Sequence, residues 1–135
     1  MNPTTAVVFG LIAHVVGDYL LQSSWMAREK GAHWWPAVVH AVAYGLPFLI
    51  ITRNPVALAV IVGTHAVIDR YTLARYVVWT TDHLAPAGTV PRWSECRATG
   101  FPPEFPAWMA MGLMIICDNT MHVIINSAAL WWAVS

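Results

Sequence analysis

Four apolar stretches, each near the length that crosses a bilayer, constrain this chain more than any other feature. A spanning helix takes about 20 mainly apolar residues. The first stretch covers about residues 4–24 and holds one charge, Asp18. The second, 34–52, holds none. The third starts at Pro55, which suits a first helical turn, and covers 55–79, running past Tyr71 toward Trp79. The fourth covers 106–133, with Asp118 as its only charge. This pattern predicts an all-α fold: a polytopic membrane protein, built as a four-transmembrane-helix bundle and forming one integral membrane domain over 1–135. The first stretch has no basic lead and no small-residue cleavage site. It therefore reads as a retained span rather than a signal peptide.

Composition excludes the main alternatives. Only 10% of the 135 residues are charged and 58% are hydrophobic, against about 25% charged in an average soluble domain. That rules out a soluble monomer, a disordered chain and a disulfide scaffold. Seven basic residues balance seven acidic ones, so no nucleic-acid partner is expected. Cys96 and Cys117 have neither C-x-x-C nor zinc-knuckle spacing. The eight tryptophans point to membrane interfaces, and the lipid bilayer is the expected partner.

The connections give the orientation. Met26–His33 joins the first two spans, and Arg53 with Asn54 makes a tight turn between the next two. The loop 80–105, rich in Pro and Gly, joins spans three and four and is expected to be irregular. Arg28, Lys30, Arg75, Arg92 and Arg97 lie on the side of loops one and three, with Arg70 at its border, whereas Arg53 stands alone opposite. The positive-inside rule then makes loops one and three cytoplasmic and puts both termini outside. The inner (cytoplasmic) membrane is the expected location.

The polar residues inside the spans repeat a spacing. His14 and Asp18, His65 and Asp69, and Asp118 and His122 are each four apart, so each pair shares one helical face. Their depths also match. Thr4 to His14 and Pro55 to His65 each span about 15 Å of helix. Counted back from Trp132, His122 lies about 15 Å deep and Asp118 about 21 Å. Three histidines are thus expected in one layer and three aspartates one turn nearer the cytoplasm. His40, about 9 Å in from Trp34, falls close to the aspartate layer. One such pair alone would read as a polar contact between packed helices. Three at one depth read as a shared site.

Buried carboxylates in hydrocarbon are costly and repel one another unless neutralised. A divalent cation supplies that charge, and imidazole with carboxylate is a ligand set for zinc, manganese or iron. The candidate metal ligands are His14, Asp18, His40, His65, Asp69, Asp118 and His122, enough for one or two ions. Asp18, Asp69 and Asp118 are the candidate catalytic groups. Arg70, Gln22 and Asn119 are the candidate substrate-binding groups. The spacings Ala13-x-x-x-Gly17 and Ala59-x-x-x-Gly63 allow close helix approach.

The run His14-Val-Val-Gly-Asp18-Tyr-Leu-Leu-Gln22-Ser-Ser-Trp25-Met26, followed by Lys30, His40 and His65-x-x-x-Asp69-Arg70, resembles a family of small uncharacterised membrane proteins of bacteria and their phages, a domain of unknown function. The resemblance covers about residues 9–72. Asp118 and His122 are similar in kind only. More distantly, the His-x-x-x-Asp pairs look like those of membrane-bound metal-dependent hydrolases. The resemblance implies a bacterial or phage origin and no established activity.

The expected function is metal-assisted hydrolysis of a phosphoester or lipid-linked substrate, with an activated water as nucleophile, one Asp as base and Arg70 steadying the anion. Two alternatives use the same residues. One is an ion or proton pathway, and the other is a phage membrane interaction protein with a structural polar core. A chain this thin around a polar centre is expected to form a homo-oligomer.

Overall fold

The computed structural model describes residues 1–135, and all of its regular elements are helical. Helix α1, Pro3–Val15, starts with Pro3 in the first turn, and the Asn2 side chain accepts the Thr5 N–H at 2.8 Å. It then widens into a π-helical turn, Val16–Leu20, in which the Leu21 N–H donates to the Val16 carbonyl. Ser23 caps the short α2, Ser24–Glu29. Helix α3 spans Trp34–Gly45 and tightens into a 3₁₀ turn, Leu46–Ile50. Pro47 lies in that turn and has no N–H to continue the α-helical ladder. Helix α4, Pro55–Tyr71, is opened by Asn54, whose Oδ1 accepts the Val56 and Ala57 N–H groups. Helix α5, Ala74–Thr81, runs into a 3₁₀ turn at Asp82–Leu84, and α6 is one turn, Trp93–Cys96. Helix α7, Ala107–Val134, has 28 residues and is about 42 Å long.

These bounds narrow the expected four-span bundle. Pro3–Leu20 and Ala107–Val134 are long and apolar enough to cross a membrane, and the count reaches three if Pro55–Tyr71 and Ala74–Leu84 form one interrupted span. Trp34–Ile50 is apolar but shorter than these. The expected continuous helix over 55–79 stops at Tyr71 because Thr72 takes φ +48°. A left-handed residue ends a helix as a C-terminal glycine does, and a β-branched side chain is rare there. No Gly or Pro marks the break in the sequence.

Two compact units are distinguished, Met1–Tyr71 with His122–Ser135, and Thr72–Met121. The first unit packs α1, α3, α4 and the end of α7 around Ala6, Ala13, Tyr44, Phe48, Ala57, Ile61, Ala129 and Leu130. Small residues let the backbones come close. A Cβ on Gly17 would stand 2.8 Å from the Tyr44 carbonyl oxygen and 3.0 Å from its Cα, so the π-helical turn after α1 touches α3 there backbone to backbone. Beside this apolar core the unit buries ionisable groups and exposes aliphatic ones. Asp18, His40, His65, Asp69 and His122 are buried, while Val8, Ile12, Val15, Leu20, Ile50 and Trp132 are exposed.

The second unit is held by aromatic contacts. Tyr76 of α5 stacks on Trp93 at 4.6 Å, and the Trp79 indole N–H donates to the Pro91 carbonyl. Arg75 donates to the Arg97 carbonyl at 3.1 Å. Gly100, at φ +89°, brings the loop so close to α5 that a Cβ would strike the Arg75 carbonyl. The long loop expected to be irregular thus contains a short helix and is pinned along α5.

Gly17→Ala is expected to destabilise the protein by about 1–3 kcal/mol, because the added methyl meets backbone that cannot yield. Thermal unfolding of the detergent-purified variant checks this, with Gly63→Ala as the control, since a Cβ there meets nothing within 4 Å.

Candidate metal centre

The centre is assembled from four helical segments of the first unit. Asp18 comes from the π-helical turn after α1, His40 from α3, His65 and Asp69 from one face of α4, and His122 from α7. The i, i+4 spacing of His65 and Asp69 brings Nε2 and Oδ2 to 3.1 Å. His40 is fully buried, and its Nε2 stands 3.1 Å from Asp18 Oδ1 and 3.4 Å from Asp69 Oδ2. His65 Nε2 is 3.9 Å from Asp18 Oδ1. Asp69 turns its other oxygen, Oδ1, toward His122 Nε2 at 3.6 Å.

Asp18 Oδ1, Asp69 Oδ2, His40 Nε2 and His65 Nε2 therefore form a ring of four donor atoms with neighbouring separations of 3.1, 3.4, 3.1 and 3.9 Å. One donor atom from each of these residues lies within 4.8 Å of all the others. Donors held 2.0–2.2 Å from a tetrahedral ion stand about 3.3–3.6 Å apart. The ring matches that size. His65 Nε2 and Asp69 Oδ2 are buried and 3.1 Å apart, and imidazole with carboxylate is a ligand set for a divalent transition metal. The residues present thus fit a divalent cation.

A second polar layer backs the first. The Tyr44 ring lies flat on the His65 imidazole, 3.7 Å between centroids and 12° between planes. The Tyr44 hydroxyl accepts the Asn126 side-chain N–H and stands 2.9 Å from His14 Nδ1. The His122 and His65 rings are 4.2 Å apart, and those of His14 and His122 are 6.0 Å apart.

The other candidates lie as follows. Gln22 follows the π-helical turn, half-buried, with its Oε1 enclosed and without a hydrogen-bond partner. Arg70 donates to the Gly31 carbonyl at 3.0 Å and spreads its guanidinium between the rings of Trp34 and Tyr71. Asp118 and Asn119 lie in the second unit, both half-buried, and the Asn119 side chain donates to the Ile115 carbonyl of its own helix.

Three residues of this region were not among the site candidates read from the sequence. Lys30 sets its ammonium 2.9 Å from Asp69 Oδ2 and 3.9 Å from Asp18 Oδ1. By spacing it reads as one more cytoplasmic anchor, yet it is the only lysine in a chain whose other basic residues are arginines. Asn126 stands one turn beyond His122 on the same helix. Tyr44 is hidden among apolar neighbours, and nothing in its local pattern separates it from core.

A protein-family model described as "Protein of unknown function (DUF3307)" matches residues 7–85. No curated protein and no solved structure matches the chain. The matched segment contains His14, Asp18, Lys30, His40, Tyr44, His65 and Asp69, and it ends before His122 and Asn126.

Tyr44→Phe removes the hydroxyl shared by His14 and Asn126 and keeps the ring on His65. It is expected to cost about 1–3 kcal/mol through the buried polar groups it strands. Metal loading should persist. Thermal unfolding and elemental analysis of the same preparation check both halves.

Proposed function

The chain belongs to the DUF3307 family of proteins of unknown function, and we propose that it is a membrane-embedded, metal-dependent hydrolase of a phosphoester or lipid-linked substrate. The observation that carries this reading is the ring of two carboxylate oxygens and two imidazole nitrogens, buried and spaced to suit one divalent cation. Zinc, manganese and iron suit that donor set best.

The membrane setting follows from the inverted distribution of polarity. Aliphatic side chains face outward along α1 and α7, and the ionisable ones face inward. Helices α3 and α4 pack with the end of α7 and with α1 in the first unit, so the proposal places all four in the bilayer. Loops one and three then lie on the cytoplasmic side with Arg28, Lys30, Arg92 and Arg97.

Asp18, His40, His65 and Asp69 would hold the ion. When bound, it supplies Lewis acidity and lowers the pKa of water at the site. Tyr44 fixes the plane of His65 by stacking. Asp69 Oδ1 faces His122, so this pair can take up a proton beside the ion and pass it on. An ion or proton pathway through the same residues would need polar continuity to both faces. Ala6, Phe48, Ala57 and Leu130, all essentially inaccessible, close the core beyond Tyr44, which favours the enzyme.

Elemental analysis of detergent-purified protein tests the centre. Wild type should carry a stoichiometric transition metal, and the double variant Asp69→Asn, His65→Ala should lose it. At 100 times its Kd, added metal should stabilise wild type by about 2.7 kcal/mol and leave the variant unmoved. Absence of metal from both proteins, with equal melting temperatures, would end the hydrolase reading.

A further inference from the structure

The role of Lys30 follows from three observations, and it rests on the metal-centre reading above. First, its ammonium contacts Asp69 Oδ2 and Asp18 Oδ1, the two oxygens that belong to the donor ring. An ammonium and a metal ion compete for those lone pairs. Second, the charges decide what the centre lacks. Two carboxylates and one ammonium leave one negative charge in excess. A divalent cation on the carboxylates turns that into one positive charge in excess, with the imidazoles neutral. A buried excess charge is costly until an opposite charge joins it. Third, Lys30 can move where its neighbours cannot. Its side chain is 21% exposed, whereas those of Asp18 and Asp69 are 8% and 3% exposed. It sits just past the end of α2, and the backbone beside it is pinned by the Arg70 hydrogen bond to the Gly31 carbonyl. Its four-carbon stem can therefore swing from a fixed base.

We infer that Lys30 is the anion-binding arm of this centre. It neutralises Asp69 and Asp18 in the absence of a cation. It yields their oxygens when a divalent cation binds, and it then presents its ammonium to a phosphate-class anion at the rim. Arg70 is engaged by Gly31, Trp34 and Tyr71 and acts as the clamp that keeps the arm in place. The phosphate group is the shared chemistry of a free phosphoester and a lipid headgroup.

The test uses the full chain in detergent, with cobalt(II) as the metal and its visible spectrum as the readout of ligation. Lys30→Met should bind cobalt about tenfold more tightly than wild type, equivalent to ~1.4 kcal/mol, because no ammonium competes. Cobalt-loaded Lys30→Met should bind inorganic phosphate about tenfold more weakly. Lys30→Arg keeps the charge, should stay close to wild type in phosphate binding, and guards against a folding defect in the Met variant. Repeating the titration with phosphatidate in mixed micelles separates the sources: a Lys30-dependent effect confined to micelles assigns the headgroup, and one seen with both assigns phosphate generally. Equal affinity of wild type and Lys30→Met for both inorganic phosphate and micellar phosphatidate, each with full cobalt, overturns this inference and leaves the metal centre standing. If wild type takes up no cobalt, the metal reading fails and the inference falls with it.

Discussion

Two carboxylates, Asp18 and Asp69, are held in the buried interior of the first unit, where both press on the same pair of imidazoles. Everything else in that unit answers to this constraint. Like charges so close in a dry interior need a compensating charge or a proton. Lys30 supplies one positive charge from the loop. His40 and His65 supply nitrogen atoms at ligand spacing. The glycine at position 17 lets α1 come close enough to α3 for Asp18 to reach His40. The fold can be described as the means of keeping two negative groups together without letting water separate them.

Around that centre aliphatic side chains are exposed while ionisable ones are buried. A soluble domain of this size would hide its aliphatic side chains and expose its charges. Here Ile50, Leu20 and Ile12 are exposed and four histidines are almost wholly enclosed. Alanines fill the contact layers of α1, α3 and α4, so the helices approach through small side chains and leave the central space to polar groups. Buried hydrogen bonds add to the apolar core, and the Asn126–Tyr44–His14 group is the clearest case.

How much of this was legible depended on whether the signal was periodic. The spacing of His65 and Asp69 is a helical period, and the structure places their donor atoms 3.1 Å apart. Counting rise from the helix ends put His40 near the aspartates, and it touches both. The all-helical class followed from the apolar stretches. What escaped depended on local backbone choices or long-range partners. Thr72 ends α4 in a left-handed conformation that threonine seldom takes. Pro47 tightens the end of α3, so that segment is shorter than a run of apolar letters implied. Lys30 carries no periodic mark, and only the fold brings it to Asp69. Tyr44 reads as core because most of it is core. Only its hydroxyl and the face that meets His65 are not.

The π-helical turn at Val16–Leu20 has a hereditary consequence. A π-turn contains one residue more than the α-helical turn it replaces. Each residue rotates a helix by about 100°, so deleting any one residue near Val16 would restore regular winding and swing Asp18 away from His40. A face of α1 about 100° away would then meet α3. Substitutions in this stretch away from Gly17 and Asp18 can be absorbed one by one, but a change of a single residue in its length cannot.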